Sequence, residues 1–127
     1  MEFINEKEQG FQHPIAQAGS NVSGGQKQRL AIARALINSP KIYIFDDSFS
    51  SLDFKTESKL RNALEPKVKN STVILVTQRV STIMDADQII VLDSGNIVGV
   101  GTHKYLMKNS SVYYEIASSQ LTKEELS

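Results

Sequence analysis

The chain has 127 residues and a mass of 14.1 kDa, which suits one domain or part of one. Apolar residues make up 40% and charged residues 22%, the net charge is zero and the pI is near 6.7, so bulk charge gives no sign of nucleic-acid or anionic-membrane binding. The absence of cysteine excludes disulfides and thiolate metal sites, and no apolar run approaches the roughly 18 residues that span a bilayer.

The first twenty residues predict a short helix and a loop. Residues 1–12 indicate a helix that ends near Gly10, and Pro14 then breaks the chain into the loop Ile15–Ser20. This segment precedes the most informative stretch of the sequence.

That stretch is Asn21–Leu30, with the sequence Asn-Val-Ser-Gly-Gly-Gln-Lys-Gln-Arg-Leu. Ser23 is a predicted helix N-cap, and Gln26 completes a capping-box pattern with it. Gly24 and Gly25 leave bare backbone N–H groups at the positive end of the helix dipole, which suits a phosphate anion. The alternative is an ordinary capped helix whose glycines allow tight packing.

A helix and then a strand are predicted after these glycines. Apolar residues recur at helical spacing as far as Ile37, and Pro40 marks the stop. Four apolar residues, Ile42–Phe45, then lead into Asp46 and Asp47. They predict a parallel strand buried on both faces with its carboxyl end at a ligand site. The alternative is a pair of surface acids after a core strand.

A second helix and a second strand follow. Asp53, at the end of Ser50-Ser51-Leu52-Asp53, is the predicted N-cap of a helix from Phe54 to about Leu64. After Glu65-Pro66 and a polar turn, the β-branched run Ser71–Thr77 predicts another buried strand, and Gln78 follows it.

The remainder predicts a short helix over Val80–Asp85, a hairpin over 87–100 with its turn at Ser94-Gly95, and a helix capped by Thr102. A terminal helix is expected after about Ser110, and the tail from Thr122 is expected to be frayed. His13 and His103 are expected to be surface histidines, since neither follows a core strand.

Four motifs in this order resemble the second half of the nucleotide-binding domain of ATP-binding-cassette (ABC) ATPases. They are the signature motif (Asn21–Gln26), the Walker B strand (Ile42–Asp47), the D-loop (Ser50–Asp53) and the terminal hairpin with Gly101-Thr102-His103. The resemblance implies an α/β P-loop NTPase fold, here truncated to the signature helix, the Walker B half of the parallel core sheet, the hairpin and the C-terminal helices.

The resemblance also implies roles for single residues and two ligands, ATP and Mg²⁺. The signature residues Ser23, Gly24, Gly25 and Gln26 would contact the γ-phosphate of an ATP held by another nucleotide-binding domain. Asp46 would hold Mg²⁺, and Ser50 and Asp53 would lie in the loop that crosses the dimer interface. Asp47 and Gln78 stand at the positions that act on the attacking water.

Two residues depart from the family pattern. Asp47 stands where active members have glutamate, and the shorter side chain makes it a weakened base, because a displacement of about 1 Å can cost on the order of a hundredfold in rate. Gln78 stands where the family has a histidine. Glutamine can hydrogen-bond a phosphate oxygen but carries no positive charge.

The chain has no Gly-x-x-x-x-Gly-Lys-Ser/Thr sequence, the Walker A loop that cradles phosphates. We therefore expect four segments: the end of a helical subdomain with the pre-signature loop (1–20), the signature motif and helix (21–39), the second half of the ATPase core (40–121) and a frayed tail (122–127). The chain alone is expected to expose apolar sheet edges, to bind no ATP tightly and to be inactive.

Asp47 and Gln78 together resemble the degenerate subunit of a heterodimeric exporter of the multidrug or peptide type. Such a chain would work with a second nucleotide-binding domain and with transmembrane domains at the cytoplasmic face of the membrane, without nucleic acid and without inserting itself into the bilayer. The alternative is a truncated, non-catalytic fragment. A chromosome-maintenance ATPase would carry long heptad repeats near the signature, and this sequence has none.

Overall fold

The computed structural model describes residues 2–122. The chain forms two compact units, Met1–Val76 and Thr77–Ser127. Within the described part of the chain, no helix combines the length and the apolar character needed to cross a membrane.

The first unit begins with a single helical turn, α1 (Glu2–Asn5), followed by 3-10 turns at Gly10–Gln12 and Gln17–Gly19. The predicted helix to Gly10 is therefore wrong in its length. The backbone of Gly10 has φ +50°, outside the helical region, and four residues are too few to sustain a helix without tertiary support.

The next two elements lie where the sequence predicts them. Helix α2 (Gly24–Leu36) begins after Ser23 and ends before Pro40, and strand β1 spans Ile42–Asp46. Ile32 is the buried residue of α2 and packs in a core cluster with Tyr43 and Phe45 of β1. The predicted elements are thus confirmed, and they share one core.

Helix α3 (Phe54–Val68) is longer than predicted, because it continues through Pro66. Proline lacks the N–H that would bond to the carbonyl four residues earlier, so it was expected to end the helix. Leu64 and Val68, one turn apart on the same face, both pack in the core cluster of this unit. That packing stabilises the last turn despite the missing hydrogen bond.

Strand β2 (Thr72–Val76) pairs with β1 in parallel, with Ile44 opposite Ile74 and Phe45 opposite Leu75. The prediction that β1 is buried on both faces is wrong, and so is the prediction that β2 is a buried strand, because four of its five residues are exposed. Tyr43 and Phe45 are buried against the helices, whereas Ile42 and Ile44 are 57% and 66% exposed. One face of the sheet is therefore covered, and the other is an exposed apolar surface.

The second unit contains an antiparallel hairpin of β3 (Ile89–Asp93) and β4 (Asn96–Gly101). Ser94 and Gly95, with φ +49° and +78°, form the predicted two-residue turn. A single 3-10 turn, Val80–Thr82, replaces the predicted helix to Asp85.

Two capped helices complete this unit: α4 (His103–Asn109) with Thr102 as N-cap, and α5 (Ser111–Gln120) with Ser110 as N-cap. Both helices were predicted. The predicted fraying of the tail falls, beyond Thr122, outside the described residues.

The histidines are not the plain surface residues that the sequence suggested. His103 is half-buried, and its Nδ1 lies 2.7 Å from the hydroxyl of Tyr113, whose pKa is raised by burial. His13 is also half-buried. His103 therefore has a structural role as the hydrogen-bond partner of a core tyrosine.

The one-sided packing of β1 gives a direct test on adjacent residues. We expect Phe45→Ala to lower the free energy of unfolding by about 3–5 kcal/mol, because it leaves a cavity among buried side chains. Ile44→Ala should cost about 1 kcal/mol or less, because that side chain is largely exposed. Urea unfolding of the two variants measures both values, and similar losses would contradict one-sided packing.

Candidate functional site

The N-terminus of α2 is the centre of the candidate site, and a complete capping box fixes it. Ser23 Oγ accepts a hydrogen bond from the Gln26 backbone N–H at 3.2 Å, and Gln26 Oε1 accepts one from the Ser23 N–H at 3.0 Å. The predicted capping box is confirmed. The side-chain oxygen of Gln26 is therefore occupied in the cap, and the observed role of this residue is to hold the N-terminus of α2 in place.

The two glycines bring this helix end against the loop between β1 and α3. A Cβ atom added at Gly25 would lie 3.1 Å from the carbonyl oxygen of Ser51 and 3.1 Å from Leu52 Cδ2. One added at Gly24 would lie 3.3 Å from Ser51 Oγ. Tight packing, the alternative explanation of these glycines, therefore applies, and it is compatible with an exposed helix end.

The helix end and the loop line one open cleft of about 360 Å³. Four predicted site residues line this cleft: Ser23, Gly24 and Gly25 at the N-terminus of α2, and Asp53 at the end of the loop. The full lining is Ser23, Gly24, Gly25, Arg29, Ser51, Leu52, Asp53 and Thr56. The positive end of the α2 dipole and the Arg29 guanidinium both favour an anion in this cleft.

A side-chain amide ties α2 to the loop after β1. Gln28 Nε2 donates to the carbonyl oxygen of Asp47 at 3.2 Å and to Ser50 Oγ at 3.0 Å. Gln28 Oε1 accepts from the Ser51 N–H at 3.0 Å. One residue of the helix therefore bonds to three groups of the loop between the acidic pair and Asp53.

Asp46 and Asp47 lie at the carboxyl end of β1, as predicted, and both are exposed. Asp47 has φ +48°, in the left-handed region. Its N–H donates to the Val76 carbonyl at 2.8 Å, and its own carbonyl accepts from the N–H and Oγ of Ser50 at 3.2 and 2.9 Å. These bonds hold Asp47 in a backbone conformation that is unfavourable for most residues.

The donor set at this strand end fits Mg²⁺ as a partner of a phosphate ligand. Within residues 2–122, no group of three or more His, Cys, Asp or Glu residues is arranged to hold a metal. Mg²⁺ commonly takes one or two carboxylates and completes its octahedral shell with water and phosphate oxygens. Asp46, the residue predicted to hold the ion, supplies one such carboxylate at the exposed strand end.

Asp53 caps α3, as predicted. Hydrogen bonds from Thr56, first from its side chain and then from its backbone N–H, hold the pKa of Asp53 below its ordinary value of 3.8. The backbone bond, from Thr56 N to Asp53 Oδ1, is 2.9 Å long. The carboxylate at the edge of the cleft is therefore charged at neutral pH.

Gln78 belongs to the second unit, unlike the other predicted site residues. It follows the end of β2 by two positions and its side chain is exposed. Its carbonyl oxygen accepts a hydrogen bond from Gln120 Nε2 at 2.8 Å.

Four residues of the site and its surroundings were not predicted from the sequence: Gln28, Arg29, Thr56 and Gln120. Gln28 had a usable signal, because it lies one helical turn after Gly24 and so shares the face that approaches the loop. Gln120 had none, because its partners are about forty positions away in the chain.

The family model described as ABC transporter matches residues 3–50. An ABC transporter ATP-binding protein of Mycobacterium bovis is 52% identical over 111 residues, 87% of this chain and 19% of the relative. The leukotoxin export ATP-binding protein LtxB of Aggregatibacter actinomycetemcomitans is 41% identical over 113 residues, 89% of this chain and 16% of the relative.

A solved structure is also similar. The structure of a bacterial Atm1-family ABC exporter with ATP bound matches 96% of this chain and 21% of its own length, with 35% identity and a TM-score of 0.88. The chain thus spans about a fifth of the length of the curated relatives it matches.

The Gln28 contacts predict a local change at Ser51. We expect Gln28→Met, which keeps the length of the side chain, to speed amide exchange of the Ser51 N–H by about fivefold. The reason is the loss of one hydrogen bond of about 1 kcal/mol. Arg34→Met, at an exposed position on the same helix, serves as the control. Equal Ser51 exchange in both variants, measured by NMR, would contradict the contact.

The Asp53 cap predicts a shifted titration. We expect the pKa of Asp53, followed by NMR, to lie below 3.8 and to rise toward that value in Thr56→Val, which removes the hydroxyl donor. Because the folded pKa is the lower one, the cap contributes stability above the unfolded value and loses it as the pH falls through the folded value. Thr72→Val is the control, and an unshifted Asp53 in the wild type would refute the prediction.

Proposed function

The chain belongs to the ABC transporter family and has its P-loop NTPase fold, and from that premise we propose that it works as an ATP-binding segment of an ABC exporter. Its signature motif would complete an ATP site whose Walker A loop belongs to a second nucleotide-binding domain. Hydrolysis at that site would then power transport through transmembrane domains, with this segment at the cytoplasmic face of the membrane.

The observation that carries this proposal is the cleft at the α2 N-terminus. Its exposed helix end, its glycine backbone and Arg29 form a surface that attracts a phosphate group. Asp53 also lines this cleft and is negatively charged, so it suits a contact with a partner protein better than a contact with phosphate. The cleft therefore combines groups that attract a phosphate with a negatively charged side chain that suits a partner protein.

The chain would also contribute residues to an ATP site of its own, and these residues support slow ATP hydrolysis there. Asp46 would hold Mg²⁺ together with phosphate oxygens, and the ion would neutralise phosphate charge. Asp47 reaches less far than a glutamate, and Gln78 offers a neutral hydrogen bond to a phosphate oxygen in place of a histidine. This supports a division of labour in which the chain's own site binds ATP and turns over slowly, while its signature acts on the partner's competent site.

The names of three similar proteins support transmembrane domains as partners and export as the direction of transport. The M. bovis relative is named as an ABC transporter ATP-binding protein, LtxB as an export protein, and the similar structure is that of an exporter with ATP bound. A heterodimer is proposed because Asp47 and Gln78 weaken this chain's own site and leave its signature intact.

The test compares ATP turnover of the assembled transporter carrying one of three substitutions in this chain. We expect Ser23→Arg to lower turnover by about a hundredfold, because the larger side chain displaces the phosphate by an ångström or more. Gln78→Ala should lower it by about fivefold or less, since one neutral hydrogen bond is lost. Ser20→Arg, in the exposed loop before the signature, is the control for the added charge and should have little effect.

Equal losses from Ser23→Arg and Gln78→Ala would refute the division of labour. Unchanged turnover in Ser23→Arg would refute the role of the signature and favour a non-catalytic fragment.

A further inference from the structure

A glutamine at the end of α5 holds the backbone on both sides of Arg79. Gln120 Nε2 donates to the Gln78 carbonyl at 2.8 Å, and Gln120 Oε1 accepts from the Val80 N–H at 2.9 Å. Donating to the carbonyl of one residue and accepting from the N–H two residues later is the pattern by which a residue of a parallel strand bridges its neighbour. The side-chain amide therefore takes the place of one residue of an additional parallel strand.

The segment Gln78–Val80, which Gln120 holds, is also fixed by other contacts. Arg79 has an extended backbone, φ −93° and ψ 113°, and its N–H donates to Thr77 Oγ1 at 3.0 Å. Val80 is buried in the core cluster of the second unit together with Ala117 of α5. The backbone around Gln78 is thus fixed from α5, while the Gln78 side chain remains exposed.

We propose that Gln120 is a positioning residue for Gln78, so that the C-terminal helix sets the placement of the side chain that contacts the phosphate at this chain's own ATP site. This inference rests on the phosphate contact proposed above for Gln78. Both the N–H and the oxygen of the Gln120 amide are needed. The N–H fixes the position of the Gln78 carbonyl, and the oxygen fixes the position of the Val80 N–H. A hydrophobic side chain of the same length fills the space and fixes neither.

The test uses the assembled ATPase with Gln120→Met in this chain and two measurements. The first is amide exchange of the Val80 N–H, which should become about fivefold faster because it loses its acceptor. The second is steady-state ATP hydrolysis. The kcat should fall by the same factor as in Gln78→Ala, with the KM for ATP unchanged, since the nucleotide still binds and only the side chain at the reacting phosphate is misplaced.

Two further variants separate positioning from a general loss of stability. Glu115→Met places the same new side chain on the exposed surface of the same helix and should change neither Val80 exchange nor kcat. The double variant Gln78→Ala/Gln120→Met should be no slower than Gln78→Ala alone, because Gln120 acts through residue 78.

Each outcome has a distinct meaning. Unchanged Val80 exchange in Gln120→Met would overturn the inference whatever Gln78 does. Faster exchange with wild-type kcat, in a protein where Gln78→Ala is slow, would overturn it as well, as would additive losses in the double variant. Wild-type kcat in Gln78→Ala would instead remove the proposed phosphate contact on which the inference rests.

Discussion

The hydrogen bonds of one side-chain amide, that of Gln28, set the relation between α2 and the loop after β1. They act together with the close approach of Gly25 to Ser51, where an added Cβ atom would lie only 3.1 Å from the Ser51 carbonyl oxygen. Without both, the helix end would stand off the loop, and the cleft that contains Ser23 and Asp53 would lose one wall. The acidic strand end and the phosphate-attracting helix end are therefore parts of one rigid arrangement.

Local features of the site could be predicted from the sequence, and long-range ones could not. The capping box at Ser23 and the cap at Asp53 depend on residues three positions apart, so their patterns are visible in the chain. The exposure of Ile44 depends on which elements cover β1, and a run of apolar residues does not reveal that. Helix α3 passes through Pro66 for the same reason, since tertiary packing outweighs a local signal.

The backbone of Asp47 gives its departure from the family pattern a second meaning. At φ +48° a residue with a Cβ atom is strained by roughly 1–3 kcal/mol, and aspartate adopts this region more readily than most residues. Glutamate would reach further toward a water molecule but lacks the short polar side chain that can bond locally to its own backbone. Aspartate therefore suits this backbone conformation better than it suits activation of a water molecule, and this supports the proposal that the chain's own site would hold a nucleotide and turn over slowly.

Gln28 and Gln120 use the same physical device at the two ends of the proposed mechanism. Each donates to a backbone carbonyl and accepts from a backbone N–H in a segment next to a proposed phosphate contact. A neutral amide can do both at once, whereas lysine or arginine can only donate and an ionised carboxylate can only accept. An amide also adds no net charge beside the phosphates, so it can fix a loop without altering the field in which the phosphate binds. If Gln78 contacts phosphate as proposed, support of this kind makes that contact depend on α5.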